Sequence, residues 1–596
     1  MIKKLLYLLS TGEQKKMYLL FVMMLTMALI DMIGVASIMP FIAVLSNPEI
    51  IHTNHLIQFI FRYSGQFGIE TEQQFFFFLG ILVLFLLILS LSFKALTLFF
   101  QFKFTQMREY SIGKRLIESY LHQPYSWFLN HHSAELGKTI LSEVRSVVAS
   151  GISPMINLIS NSIVAIILLA LLIVINPKLA LIAGFTLTLA YALLYKTVRS
   201  FLNKIGKETV IDDSSRFKAV SESFGAAKEI KLGGFEKVYI DRFAKSAKNY
   251  SRNQANTKII ALLPRFGLEA IAFGGIILVV LSLLSDSGTL NNVLPVIALY
   301  VFAGYRLMPA LQQIYASLAA LRFVGPSLDS VCRNFEKLEN IPPLNEKNNI
   351  LLKNKIILKN INYNYPSSKK NILRNINITI PAQKRIGIVG KTGSGKTTLI
   401  DIILGLLDTR SGYLKIDDKI INTENQKLWQ KSIGYVPQKI YLTDDTIAAN
   451  IAFGVDAKNI DLDKIIEASK IANLHEFVLN ELPLKYETRI GERGIRLSGG
   501  QSQRIGIARA LYHETNLLVF DEATSALDYH TEKSVMEALN KISKDRTIII
   551  IAHRLNTIME CDKIFFLEKG EIKGEGRYDE LINTNNSFKT FTLAST

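Results

Sequence analysis

Gly390-Lys391-Thr392-Gly393-Ser394-Gly395-Lys396-Thr397 stands between a short apolar run (Ile386, Ile388, Val389) and an apolar-periodic one (Leu399, Ile400, Ile402, Ile403, Leu404). The order reads as strand, glycine-rich loop and helix, the context in which this spacing forms a phosphate cradle. Glycines let successive backbone N–H groups close around an anion, and the start of the following helix adds a favourable dipole. In this reading Gly390, Gly393, Ser394 and Gly395 wrap the β-phosphate of a nucleotide, and Lys396 reaches the β and γ oxygens. Thr397 offers its hydroxyl to Mg²⁺, and Thr398 follows it in the nucleotide-binding set. So short a pattern also arises by chance in glycine-rich turns, so its neighbours have to decide.

About 120 residues downstream, Leu517-Leu518-Val519-Phe520-Asp521-Glu522 is an apolar run ending in two carboxylates. A buried parallel strand has this composition. Asp521 at its C-terminal end is placed to hold Mg²⁺ through water, and Glu522 to orient or deprotonate an attacking water. Between the two motifs stands Leu497-Ser498-Gly499-Gly500-Gln501. A helix is expected over Gln501 to Leu511, and its N-terminus makes a second anion site. A γ-phosphate needs positive charge and N–H donors on every side, and one loop supplies only one flank.

Leu497 to Gln501 resembles the signature of the ATP-binding cassette family, and the remaining family motifs follow in order. Tyr365 resembles the aromatic that stacks on adenine. Gln438, in Tyr435-Val436-Pro437-Gln438, resembles the glutamine that joins Mg²⁺ and the catalytic site. Gly491-Glu492-Arg493-Gly494 resembles the exporter-type loop before the signature, Ser525-Ala526-Leu527-Asp528 the loop after the carboxylates, and His553 the switch histidine. The resemblance implies that Ser498, Gly499, Gly500 and Gln501 close over ATP held by a partner subunit, so that Glu522, His553 and Gln438 act in composite sites. One cassette per chain then implies a half-transporter working as a homodimer. A channel or regulatory switch would be expected to carry a degenerate carboxylate, which Glu522 argues against.

The first half of the 596 residues differs sharply from this α/β region. A bilayer core of about 30 Å takes about 20 helical residues. Segments of that kind run roughly over 18–45, 75–100, 158–175, 179–195, 259–284 and 293–318. Lysines and arginines crowd the connections between the second and third and between the fourth and fifth. By the positive-inside rule both termini and both long excursions are then cytoplasmic. Each excursion breaks near its middle, at His122 to Trp127 and at Lys231 to Glu236. These breaks read either as short crosswise helices or as plain helical hairpin turns. His55 to Tyr63, in the first external loop, reads as an interfacial amphipathic helix or a passive cap.

The expected organisation is a transmembrane domain over 1–330, a polar linker over 331–349 around Ile341-Pro342-Pro343, and a cassette over 350–596. The fold class implied is a six-helix, all-α transmembrane domain of the ABC exporter type fused to an α/β P-loop nucleotide-binding domain. The net charge of +17 has its explanation in the cytoplasmic loops, and no stacking aromatics are interleaved to suggest nucleic acid. Cys332 and Cys561 are too few and too isolated for a disulfide framework or a metal cluster. No cysteine precedes the first span, which disfavours a peptide exporter with an attached cysteine protease.

Ionisable residues inside spans often mark a pathway. Lys94, Arg265 and Arg306 are basic, and Asp31 and Glu269 acidic. The basic three form either a positive belt for a phosphate or pyrophosphate headgroup or internal pairs, Arg265 with Glu269 and Lys94 with Asp31. Ser92 to Leu96, Pro264 to Glu269 and Tyr305 to Pro309 resemble stretches of the PglK-type lipid-linked oligosaccharide flippases. That family's cavity carries arginines for the lipid pyrophosphate, and a short external helix follows its first span. Here Lys94 stands where arginine is expected, which keeps the charge and loses the bidentate fork. The resemblance implies a multi-pass protein of the bacterial inner membrane, its cassette cytoplasmic, that moves a polyprenyl-pyrophosphate-linked oligosaccharide among membrane lipids. The alternative is a multidrug or lipid A-type exporter.

Overall fold

The computed structural model describes residues 1–596 except 70, 176, 268, 271–273, 275, 276, 278–289, 339–348, 366–369, 492, 493, 524–526, 543, 544, 552–554 and 594–596. Also outside the description are the side chains of 56, 67, 179, 183, 187, 290–294, 296, 529, 541, 542, 555 and 556. Contacts divide the chain into two compact units, Met1–Gln123 with Asn130–Ile341 and Pro124–Leu129 with Pro342–Thr596.

The first unit is helical, and its long helices start at caps written in the sequence. Ser10 opens Thr11–Ala36 with a reciprocal capping box: its hydroxyl accepts from the Glu13 N–H, and the Glu13 carboxylate accepts from the Ser10 N–H. After Ser37 the chain continues as Ile38–Ser46. Thr71 and Gln74 cap Glu72–Leu121 in the same way. That helix of 50 residues is about 75 Å long, more than twice the hydrocarbon core, so it continues well beyond a membrane. Pro177–Gly225 and Leu290–Lys337 are of similar length.

Among the described residues, Thr11–Ser46, Glu72–Leu121, Ser133–Ile175 and Ala180–Gly225 are long and apolar enough to cross a membrane. Much of the fifth expected span, over 259–284, lies outside the described residues. The third span does not start as an ordinary helix. Two π-helical stretches, Thr139–Glu143 and Val148–Ile152, lead into Ser153–Ile175. The first is held by the buried pair Lys138 Nζ to Glu143 Oε1 at 2.7 Å, and by the Ser330 hydroxyl donating to Glu143 at 2.8 Å.

The loop after the first expected span contains the helix His55–Ser64, as its amphipathic pattern suggests. Ile57 packs with Val44, Phe75 and Leu79, while Phe59 and Tyr63 are exposed. Both expected breaks hold short helices. Tyr125–Phe128 follows Pro124, and its segment groups with the second unit. At the other break the helix lies over Ala227–Gly233, and Gly234 at φ 65 ends it. The Gly233-Gly234 pair thus closes the short element, whereas the expected break at 231–236 spans its last turn.

The final helix of this unit runs to Lys337, into the stretch 331–349 expected as linker. Polarity there marks a solvated helical turn: Arg333 Nε donates to the Asp329 carbonyl at 3.2 Å, and Arg115 lies 5.1 Å from the Phe335 ring. Higher on the same helix, the Phe323 carbonyl oxygen would collide with a Cβ placed at Gly206 of Pro177–Gly225. Gly206 is therefore a closest-approach point of two long helices. Gly206→Ala is expected to cost about 1–3 kcal/mol through overpacking, read as a lower thermal midpoint of the purified protein.

The second unit is built on two sheets. Its strands are β1 (Lys355–Tyr363), β2 (Leu373–Pro381), β3 (Arg385–Val389), β4 (Ser411–Ile416), β5 (Lys419–Ile420), β6 (Ile433–Val436), β7 (Leu517–Asp521), β8 (Thr547–Ile551), β9 (Lys563–Glu568) and β10 (Glu571–Gly576). An antiparallel sheet has the order β2-β1-β4-β5, and the central sheet has the order β10-β9-β3-β8-β7-β6. In the central sheet β9, β3, β8, β7 and β6 run parallel, and β10 closes the edge antiparallel. Strands β3, β7 and β8 are buried throughout. Leu518 and Phe520 enter one core, with Leu517 and Val519 in the other, so β7 reads as a continuous apolar run because both faces are covered.

Candidate functional site

The carboxyl ends of parallel strands in an open α/β sheet form its binding crevice. Here β3 feeds the glycine loop and the helix Lys396–Ile403, and β7 ends at Asp521; β8 lies between them. The loop's glycines are required by its path. Gly393 and Gly395 have φ of 78° and 104°, and a Cβ at Gly390 would collide with the Leu567 carbonyl oxygen. The Ser394 hydroxyl is buried without a hydrogen-bond partner, an unfilled polar position inside the cradle. Lys396 Nζ donates to the Gly390 and Lys391 carbonyls at 2.8 and 3.2 Å. Burial pushes its pKa down, and the charges of Glu522 and Asp521 oppose that shift.

Thr397 is exposed, whereas Thr398 is buried. The Thr398 hydroxyl lies 3.2 Å from the Tyr365 hydroxyl. Tyr365 is thereby tied over the start of the phosphate-loop helix, with its ring edge-on to Tyr363 at 5.3 Å. Thr397, Asp521 and Gln438 offer a hydroxyl, a carboxylate and an amide carbonyl. These hard oxygen donors fit Mg²⁺, which takes a few protein oxygens and completes its shell with phosphate and water. The Tyr435 hydroxyl donates to Asp521 Oδ2 at 3.4 Å. Burial, and then the Asp521 charge, push the carboxyl of Asp401 up to about 6.

Gln438 and Glu522 meet directly: the amide Nε2 donates to Glu522 Oε2 at 2.6 Å. Glu522 holds its backbone at φ 50, in the left-handed region, with its N–H bonded to the Ile551 carbonyl at 3.1 Å. A non-glycine residue in that region is strained and needs support from its surroundings, as functional residues often do. Sequence patterning carries no signal for this. His553 lies outside the described residues, as do Glu492, Arg493, Ser525 and Ala526.

The signature helix runs over Gly499–Tyr512, two residues earlier than expected. Ser498 is its N-cap: the hydroxyl accepts from the Gln501 N–H at 3.2 Å, and the Gln501 side chain accepts from the Ser498 N–H at 2.8 Å. This reciprocal cap offsets the poor helix propensity of Gly499 and Gly500, and leaves their N–H groups at the positive end of the helix. Farther along, Arg509 donates from Nε to the Asn450 carbonyl at 2.8 Å and from Nη1 to the Tyr441 carbonyl at 3.0 Å. Burial lowers its pKa to about 10. Arg509 ties the signature helix to the chain following Gln438. The signal for it was present, a lone arginine among Ile505, Ile507, Ala508, Ala510 and Leu511.

In the first unit, Asp31 is paired with Arg306 at 3.3 Å and accepts from the Ser90 hydroxyl at 2.9 Å. Its partner is therefore Arg306 and not the alternative Lys94. Arg265 Nε lies 2.6 Å from Glu269 Oε1, the expected i,i+4 pair. Lys94 is partly buried and makes no ion pair among the described residues.

Two families match this chain: "ABC transporter" over residues 373–525 and "ABC transporter transmembrane region" over 50–310. The chain belongs to the ABC transporters, an exporter-type half-transporter with a helical transmembrane domain fused to an α/β nucleotide-binding domain that hydrolyses ATP in step with transport. It is 30% identical over 489 residues to the ATP-dependent lipid A-core flippase of Cupriavidus pinatubonensis, covering 80% of each chain. It is 36% identical over 311 residues to the putative multidrug export ATP-binding/permease protein YgaD of Bacillus subtilis, covering 51% of this chain and 53% of that protein, about half its length. The structure of a bacterial Atm1-family ABC exporter with ATP bound superposes with a TM-score of 0.78 at 21% identity, over 98% of each chain.

Proposed function

We propose that two copies of this chain form an ATP-driven flippase of the bacterial inner membrane, the cassettes cytoplasmic, which moves a polyprenyl-pyrophosphate-linked oligosaccharide from the inner to the outer leaflet. The observation that carries the substrate class is the set of basic residues Lys94, Arg265 and Arg306 within apolar helices. Lys94 is uncompensated among the described residues, and the other two hold one carboxylate each. Doubled in a homodimer, they retain a net positive site for a pyrophosphate. The resemblance of Ser92–Leu96, Pro264–Glu269 and Tyr305–Pro309 to the PglK-type flippases supports the same reading.

In the proposed cycle, Gly390, Gly393, Ser394, Gly395, Lys396, Thr397 and Thr398 hold the phosphates of one ATP beside Tyr365. Ser498, Gly499, Gly500 and Gln501 of a second copy cap its γ-phosphate. Thr397, Gln438 and Asp521 would hold Mg²⁺, which neutralises charge developing on the phosphates. Glu522 takes the proton of the attacking water, Gln438 orients Glu522 by the 2.6 Å bond already present, and His553 contacts the γ-phosphate. Closure of the cassettes is passed on through the short helices Tyr125–Phe128 and Ala227–Gly233.

Multidrug or lipid A-type export is the second reading, favoured by the names of the relatives above. Stimulation of ATP hydrolysis in nanodiscs separates the two. Polyprenyl-pyrophosphate oligosaccharide is expected to raise turnover severalfold while lipid A and drug-like cations leave it unchanged; the reverse order would replace the proposal.

A further inference from the structure

Outside the nucleotide site and the span charges, the first unit has a cavity of about 540 Å³ lined by four cations and one acid. The cations are Lys4, Lys207, Arg322 and Arg333, and the acid is Asp329. Asp329 is already engaged: Lys4 Nζ lies 2.7 Å from its carboxylate. Arg333 Nε donates to the Asp329 main-chain carbonyl. Lys207, Arg322 and Arg333 make no ion pair among the described residues, and the Arg322 Nε is buried without a hydrogen-bond partner. Buried guanidinium N–H groups are costly to leave unpaired, so the cavity is short of an acceptor.

Its position along the helices indicates what supplies that acceptor. Lys207 lies about 45 Å along its helix from Pro177, and Arg322 about 48 Å from Leu290. A bilayer with its headgroups is about 40–45 Å thick, which puts both cations at the cytoplasmic headgroup level if the helices start at the outer surface. Met1, Val210, Ile211 and Leu328 give the cavity an apolar wall, beside the polar Asn203. The N-terminal helix Ile2–Tyr7 beside it exposes Ile2 and Tyr7. Cations around an apolar wall at this depth match a phosphodiester with acyl chains attached.

We propose that this cavity binds the headgroup of one anionic phospholipid of the cytoplasmic leaflet, Arg322 and Lys207 holding the phosphate. The test reads lipid retention, so its outcome does not depend on the transported substrate. A free phosphate would satisfy the same cations but has no use for the apolar wall.

The test is native mass spectrometry of the full chain released from nanodiscs of phosphatidylglycerol mixed with phosphatidylcholine. Wild type is expected to retain phosphatidylglycerol selectively. Each juxtamembrane cation is worth roughly fivefold in affinity for an anionic lipid surface, so Lys207→Gln should weaken retention about fivefold and Lys207→Gln with Arg322→Gln about 30-fold. Arg322→Lys should restore part of it. ATP turnover in detergent reports that each variant is folded; Lys207 is exposed, so its variant serves even if the double one is unstable. Equal retention of both lipids, or retention unchanged in Lys207→Gln, overturns the proposal. Displacement of the bound lipid by millimolar inorganic phosphate overturns the headgroup assignment in favour of a soluble phosphate.

Discussion

Glu522→Gln is expected to lower steady-state ATP hydrolysis by about 10²- to 10⁴-fold while ATP binding persists, because general-base catalysis contributes on that order. The substitution keeps shape and the backbone at φ 50, where glutamine strains no more than glutamate. It also keeps an oxygen to accept from Gln438 Nε2, now at 2.6 Å. What it removes is the proton acceptor and one of the two charges that oppose the downward push on Lys396. ATP should therefore bind at least as well, and the protein should accumulate in a nucleotide-held closed form. Hydrolysis is measured as released phosphate and binding by retention of labelled ATP. Undiminished turnover would remove Glu522 from the catalytic step.

Arg306→Ala carries the second large expectation. Asp31 has 5% side-chain exposure and Arg306 15%, and the Ser90 hydroxyl is the other donor on the carboxylate. Removing one member of a buried pair leaves an uncompensated charge and costs about 3–5 kcal/mol, whereas replacing both by neutral groups is often tolerated. Arg306→Ala should thus lower the thermal midpoint markedly, and Arg306→Met with Asp31→Asn should restore most of it. Transport separates the roles. If Arg306 contacts the lipid pyrophosphate, the stable double variant stays defective in flipping; if it only pairs with Asp31, flipping returns with stability.

The nucleotide half was legible because its chemistry is local. The glycine spacing, the apolar strand ending at Asp521 and the cap of Ser498 with Gln501 are each set within a few residues. The signature helix nevertheless begins at Gly499, because the reciprocal cap outweighs two glycines that propensity alone would leave outside. What escaped the sequence is tertiary. Asp31 takes Arg306 from a distant helix, and Arg509 reaches the Tyr441 carbonyl. Neither is encoded by spacing. The first π-helical stretch before Ser153 is held by a buried Lys138–Glu143 pair that no helical periodicity reveals. Arg265 with Glu269 is the contrasting case, an i,i+4 pair readable directly from the chain.

The same contrast bears on the substrate. A belt of three free cations was one reading of the spans, internal pairing the other, and two of the three cations are paired. Of the three, Lys94 makes no ion pair among the described residues, and an arginine that shares a carboxylate can still donate its remaining N–H groups to a phosphate. Specificity would then rest on a fork-and-point arrangement, with guanidinium groups orienting the headgroup and the Lys94 ammonium acting as a point charge.

The proposed activity is ATP-driven movement of a pyrophosphate-linked glycan lipid. It is tested most directly by reconstituting the purified full chain in vesicles with fluorescent polyprenyl-pyrophosphate oligosaccharide and following the label's accessibility to an added quencher. Wild type with ATP is expected to move the label from one leaflet to the other, and Glu522→Gln is expected not to. Movement of a drug-like cation or lipid A under the same conditions, with the glycan lipid left in place, would contradict it.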